Sequence, residues 1–290
     1  WSPGECQELM SLARAIGFAS EPATTAERVR AAVHSWTDSN CTDHGQGHRC
    51  FNRHLDSIRP PRLTCIADVA SNTKLLERVR PMLPLMCLAG KLCGLNPRWR
   101  LYRYAPDGDV FRPHLDDAYD ETVLYEFGDD TGSILATNPR VRSRASLLVY
   151  LNDCPSGGET RFWVPDAACK DFSFEHVQPV AGSATLFYHG EHPLSLVHEG
   201  LPVKKGPKYV LRTDVLYERC DGSLAATSEF QKIVEQWPHI YQGRLHWELL
   251  QESHRTGLLG LGTGVKQGAR VGVASPGSLE TLSCEKPSAW

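Results

Sequence analysis

The sequence predicts an α+β chain, mainly β with flanking helices. Segments 99–104, 145–151, 159–164, 183–188 and 208–217 are short and rich in Val, Leu, Tyr, Phe and Thr. Turn residues divide them: Pro106-Asp107-Gly108, Pro155-Ser156-Gly157-Gly158, Gly182 and Gly206-Pro207. That is the style of an antiparallel sandwich or barrel. Apolar residues at helical spacing are confined to the N-terminal third and to the stretch after residue 226.

In chain order, residues 2–17 read as a helix. Ser2 caps it, Pro3 suits its first turn, Glu5 completes a capping box and Gly17 ends it. Leu9, Leu12, Ala13 and Ile16 supply its apolar stripe. Residues 20–60 are polar and read as loop. A second helix is expected over 74–93, on Leu75, Leu76, Val79, Met82 and Met86, with Pro81 and Pro84 kinking or splitting it. The stretch 118–143 lacks periodicity, and a loop of that length is usually a lid or a disordered insert. Residues 227–252 read as helical through Phe230, Ile233, Val234, Trp237, Ile240 and Tyr241. After Leu258 the chain is rich in Gly and Ser and is expected to be disordered. The expected organisation is a support region over 1–97, a β core over 98–220, a helical extension over 221–258 and a tail over 259–290.

The 290 residues carry a net charge of −3, which gives no basic excess for a polyanion, so no nucleic-acid partner is expected. No apolar run is long enough to suggest a membrane span. The first residue is Trp1, so targeting is not read from this end. Ten cysteines, a possible Cys41–Cys50 pair and the acceptor triplet Asn40-Cys41-Thr42 lean towards a secretory compartment, with a cytoplasmic one left open. Oligomeric state is not legible.

The chemistry starts at Arg112-Pro113-His114-Leu115-Asp116. Alternate strand residues share a face, so His114 and Asp116 can meet one metal ion. With a distant second imidazole they make a facial triad, which leaves positions open on Fe(II) for O2 and a chelating co-substrate. His198 ends an apolar run before a turn, and Lys208 follows ten residues later at the start of the next strand. A cation there suits the distal carboxylate of 2-oxoglutarate, whose burial unpaired would be very costly. Arg212, four residues on and on the same strand face, competes for that role and could grip bidentately.

The ordered pieces from 98 to 218 resemble the catalytic domain of the prolyl 4-hydroxylase superfamily. They are Tyr104-Ala105-Pro106-Asp107-Gly108, Phe111 to Asp116, Ala145 to Asn152, Gly157 to Phe162, Gly182 to Phe187, and His198 to Lys208. The opening helix also resembles the segment that begins these domains. The resemblance implies a double-stranded β-helix, that is, a jelly roll of cupin-like form. It implies His114, Asp116 and His198 as iron ligands, and Lys208, Tyr104 and Thr160 on the distal carboxylate of 2-oxoglutarate. Between Tyr104 and His114 this chain holds one residue more than the commoner pattern, and Arg212 departs from the collagen-type enzymes. L-ascorbate is implied as the reductant of stalled iron.

The expected function is therefore an Fe(II)- and 2-oxoglutarate-dependent dioxygenase that hydroxylates an unactivated carbon and releases succinate and CO2. A prolyl residue of a protein or peptide is the first substrate reading; another side chain, a free amino acid or a small metabolite remains open. A non-catalytic jelly-roll binding protein and a cupin-like metal enzyme without 2-oxoglutarate are the rival classes. Several other residues read as bland. Asp117 and His192 are expected to be solvated, Arg140, Arg142 and Arg144 to form a solvated face, and His44 and His48 not to bind metal.

Overall fold

The computed structural model describes residues 1–18, 60–106, 109–126 and 133–256. In chain order these form α1 (Pro3–Ile16), β1 (Arg62–Ile66), α2 (Val69–Val79), a 3-10 turn (Arg80–Met82), β2 (Met86–Cys87), β3 (Gly90–Leu95), β4 (Arg98–Tyr104), β5 (Phe111–His114), β6 (Asp120–Glu126), β7 (Ser133–Tyr150), β8 (Thr160–Pro165), β9 (Phe172–Val177), β10 (Ala184–Tyr188), β11 (His198–Gly200), β12 (Lys208–Glu218), α3 (Leu224–Gln236) and α4 (Pro238–Thr256). The strands make two antiparallel sheets, the mainly β jelly roll with flanking helices that the sequence predicts. No helix among the described residues is long and apolar enough to cross a membrane.

The larger sheet is organised around β12. Its first half pairs with β4 and its second half with β3, so β3 and β4 form one line interrupted at Asn96-Pro97. Its other edge pairs with β7. The long β7 then pairs with β10 through its second half and with β6 through its first. The smaller sheet runs β5-β11-β8-β9.

Ten of the eleven residues of β12 are buried, because both faces of this strand are covered. Period-two alternation divides them. Tyr209, Leu211, Val215 and Tyr217 enter the cluster that packs the large sheet on α1 and α2, with Cys6, Met10, Ala13, Leu75 and Val79. Val210 enters the cluster between the sheets, with Tyr102, Tyr104, Tyr150, Cys154 and Val203. Lys208 and Arg212 follow the parity of Val210 and line the pocket between the sheets.

The flanking helices follow their local signals. Ser2 caps α1 with both arms of the capping box made, and Asp68 and Ser223 cap α2 and α3. The helix expected over 74–93 is corrected: α2 stops at Val79, Pro81 opens a 3-10 turn, and Met86 to Leu95 form a hairpin. Its two-residue loop is Leu88-Ala89, both at positive φ. Such turns usually announce themselves by Asn or Gly; here the conformation is held tertiarily, by buried Leu88 and by the Ala89 N–H donating to Glu229.

The stretch 118–143 is also corrected. It contains β6 and the first half of β7, paired from Asp120↔Arg142 to Glu126↔Ser133. None of the residues with described burial between 120 and 142 is buried, so no covered face imposes an apolar strand period on the sequence. The helical pattern over 227–252 resolves into α3 and α4, divided at Trp237-Pro238. Residues 20–59, with Asn40, Cys41, His44, His48 and Cys50, and the tail after 256 lie outside the described residues. Seven described cysteines carry free thiols.

Leu211 is fully buried on the helix-facing side of β12. Leu211→Ala is expected to cost about 2–5 kcal/mol, read as a lowered urea midpoint at unchanged m-value.

Candidate active site

The pocket opens between the two sheets and holds about 410 Å³ counted to its open mouth. The smaller sheet supplies one wall. His198 on β11 stands opposite His114 on β5 in the ladder, and their ring centroids are 4.3 Å apart. Phe111 packs on His114 and Phe187 on His198, at 4.0 and 4.5 Å between centroids, fixing both rings.

Asp116 follows β5 and faces both imidazoles. Its Oδ1 lies 3.4 Å from His114 Nε2 and its Oδ2 lies 3.6 Å from His198 Nε2. One ligand atom from each of the three residues lies within 4.8 Å of the others. Each Nδ1 is occupied by a backbone carbonyl, of Arg112 at 2.7 Å for His114 and of Leu196 at 3.2 Å for His198. A carbonyl only accepts, so each Nδ1 carries the proton and each Nε2 keeps its lone pair for a metal. Burial pushes His198 down to about 3, so it stays neutral and ligand-competent. Two imidazoles and one carboxylate fit a divalent first-row metal such as Fe(II).

Asp116 is almost fully buried, and burial by itself would raise its carboxyl. The Arg212 guanidinium outweighs that and holds it well below the usual carboxylate range. Arg212 donates to Asp116 Oδ1 and reaches Asp214 Oδ1 at 3.4 Å, and Asp214 is in turn gripped by Arg100. The four groups alternate in sign and sum to zero. Ser146 Oγ donates to Asp116 Oδ2 at 2.6 Å.

The cationic end of the pocket draws on both sheets. Lys208 and Tyr104 are cross-strand partners, with the ammonium 4.7 Å from the Tyr104 ring centroid and 5.6 Å from that of Tyr150. Lys208 Nζ donates to the carbonyl of Gly158 at 2.6 Å. Gly158 sits at φ +74°, and a Cβ there would lie 2.8 Å from Cys154 Sγ and 3.3 Å from Lys208 Cδ, so the turn before β8 needs glycine. Burial lowers Lys208 to about 8. Thr160 Oγ1 accepts from Tyr150 at 2.7 Å, which leaves its own proton free for a ligand. Tyr104 is buried against Gly200, where a Cβ would meet its hydroxyl at 3.0 Å.

Every residue the sequence nominates, namely His114, Asp116, His198, Lys208, Tyr104, Thr160 and Arg212, lines this one pocket. Asp117 is exposed, as expected. Two expectations are corrected. His192 is buried and stacked on Tyr188 at 3.7 Å, because the turn before Pro193 folds inward. Arg144 is buried and paired with Asp221 and Glu191, since its strand is covered there. The sequence reading missed Asp214, Arg100, Ser146 and His189. Charged residues at even spacing inside the apolar run of β12 were the available signal for Asp214.

The fold is similar to several solved structures. One is the viral collagen prolyl hydroxylase of Paramecium bursaria Chlorella virus-1 in complex with 2OG: 19% identity, TM-score 0.41, covering 76% of this chain and 92% of that one. A second is a prolyl-4-hydroxylase of Pseudomonas putida: 19% identity, TM-score 0.34, 56% and 71% covered. A third is a 2OG-Fe(II) oxygenase family oxidoreductase of Burkholderia pseudomallei: 17% identity, TM-score 0.28, 42% and 43% covered. No protein-family model and no curated protein matches the sequence. At such values the geometry of the pocket carries the chemistry.

Removing Arg212 leaves two buried carboxylates short of their shared cation. Arg212→Met is therefore expected to destabilise the metal-free protein by about 3–5 kcal/mol, measured by urea unfolding. Lys208 binds its proton less tightly folded than unfolded. Metal-free stability should thus rise as pH increases from about 8 towards 10.5, by up to roughly 3 kcal/mol, and Lys208→Met should abolish that rise.

Proposed function

We propose that this protein is an Fe(II)- and 2-oxoglutarate-dependent dioxygenase that hydroxylates an unactivated carbon and releases succinate and CO2. The observation that carries the reading is one pocket lined both by a donor set of two histidines and one aspartate and by a buried cation. A divalent metal that keeps open coordination positions supplies oxygen activation and chelation of the keto acid. The chain's own residues do the rest.

His114, Asp116 and His198 would hold the metal through Nε2, a carboxylate oxygen and Nε2. Lys208 would pair with the distal carboxylate of 2-oxoglutarate, with the Tyr104 and Thr160 hydroxyls donating to it. Lys208 otherwise rests on a carbonyl and two aromatic faces, so an arriving carboxylate supplies its missing counter-charge. Arg212, already shared between Asp116 and Asp214, fits a role beside the metal better than one at the distal carboxylate. Phe111 and Leu148, which line the pocket, would exclude water around the reacting groups. By the sequence resemblance, the substrate is a prolyl residue of a protein or peptide, and L-ascorbate would keep the iron reduced.

The test is succinate release from 2-oxoglutarate with Fe(II), O2 and ascorbate, alongside a search for a +16 product among prolyl peptides, other peptides and metabolites. Wild type should release succinate, His114→Ala should abolish release, and Lys208→Met should raise the KM for 2-oxoglutarate at least about 100-fold, as loss of a buried charge partner implies. Absence of both succinate and 2-oxoglutarate binding in the metal-loaded wild type would favour a non-catalytic binding protein.

A further inference from the structure

Behind Asp116 lies a fully buried chain of polar groups that touches neither the pocket nor solvent. Ser143, Ser146 and His189 are each completely inaccessible. The Tyr119 backbone N–H reaches Ser143 Oγ at 2.8 Å. Ser143 Oγ lies 2.8 Å from His189 Nε2, and His189 Nδ1 lies 2.8 Å from Ser146 Oγ. Ser146 Oγ reaches Asp116 Oδ2 at 2.6 Å.

Proton counting fixes every direction in this chain. Ser146 Oγ donates to Asp116 Oδ2, so its single proton is spent there. Ser146 therefore accepts from His189, and Nδ1 carries the imidazole proton. Burial pushes His189 down to about 4, so the ring is neutral and its Nε2 is a bare acceptor. Ser143 then donates to Nε2 and accepts the Tyr119 N–H. All four bonds point the same way, towards Asp116, and each donor polarises the next. The nearby Asp214 Oδ1 lies 3.9 Å from Nδ1, beyond hydrogen-bond reach, and its charge is taken by Arg100 and Arg212.

We infer that His189 is a positioning residue for the metal site, acting through Ser146 to fix the orientation of the Asp116 carboxylate. The inference rests on reading His114, Asp116 and His198 as metal ligands. Free rotation of Asp116 would spread its donor atoms over orientations that do not face both imidazoles. Arg212 holds one oxygen and the relay holds the other, so the carboxylate plane is set before metal arrives. Partners of this kind behind a ligand are worth roughly 10–100-fold in metal affinity.

The relay predicts a distinction that side-chain volume does not. Asn carries its amide nitrogen at the same bond distance from Cα as Nδ1, so His189→Asn keeps a donor for Ser146. Gln carries its amide at the position of Nε2, so His189→Gln keeps the Ser143 end and loses the Ser146 end. The experiment titrates Co(II) into metal-free wild type, His189→Asn, His189→Gln and Ser146→Ala, following the Co(II) absorption bands, with thermal melts confirming folding. Wild type and His189→Asn should bind with similar Kd, while His189→Gln and Ser146→Ala should weaken about 10–100-fold. Separately, 15N chemical shifts of metal-free wild type should show His189 as the neutral Nδ1–H tautomer. An Nε2–H tautomer, or equal Co(II) affinity in His189→Asn and His189→Gln, would overturn the role. Failure of the wild type itself to bind Co(II) would overturn the metal reading and this role with it.

Discussion

The structure depends on keeping one buried carboxylate ionised. Asp116 sits between the sheets, almost out of water, where an unpaired charge would cost more than the whole domain has in reserve. Its charge is answered by Arg212, whose second contact is Asp214, whose second contact is Arg100. Each member makes the next necessary. Arg212 and Asp214 come from β12 and Arg100 from β4, so this alternation of charge also constrains how those strands register. The remaining Asp116 oxygen is held from β7 through Ser146. A slip of one residue in any of these ladders would turn the partner to the opposite face and strand a charge.

The same alternation divides labour along β12. One parity packs the helical core; the other presents Lys208, Val210, Arg212 and Asp214 towards the pocket side. The two cations on that face therefore have different surroundings. Lys208 meets aromatic faces and one carbonyl, which leaves it electrostatically unsatisfied and suited to a ligand carboxylate. Arg212 meets two carboxylates, which balances its charge and suits it to holding a neighbour in place. A pair that is equivalent by spacing becomes inequivalent by environment.

Metal competence is also a property of the backbone. Both imidazoles give their Nδ1 proton to a carbonyl two residues earlier, Arg112 for His114 and Leu196 for His198. These local backbone contacts therefore set the tautomer, and the ladder partnership of β5 with β11 brings the two Nε2 atoms together. Local sequence prepares each ligand; pairing between strands assembles the donor set.

By itself the sequence determined the sandwich character, the capped first helix and the main candidates for the site. It could do so because these leave local traces: turn residues between apolar runs, a capping box, a His-x-Asp pair, and a cation ten residues after a histidine. Where the trace was missing, the reading failed. The Leu88-Ala89 turn carries no turn residue, the β6–β7 hairpin has no covered face to impose a period, and His192 looks solvated beside Pro193 but is buried. Only the tertiary structure decided which cation rests on a carbonyl and aromatic faces and which is spent on Asp116. Only it revealed that Ser143, His189 and Ser146 line up behind that carboxylate. Those residues stand on β7 and just beyond β10, and what joins them is antiparallel pairing, a contact between distant parts of the chain that one-dimensional spacing does not encode.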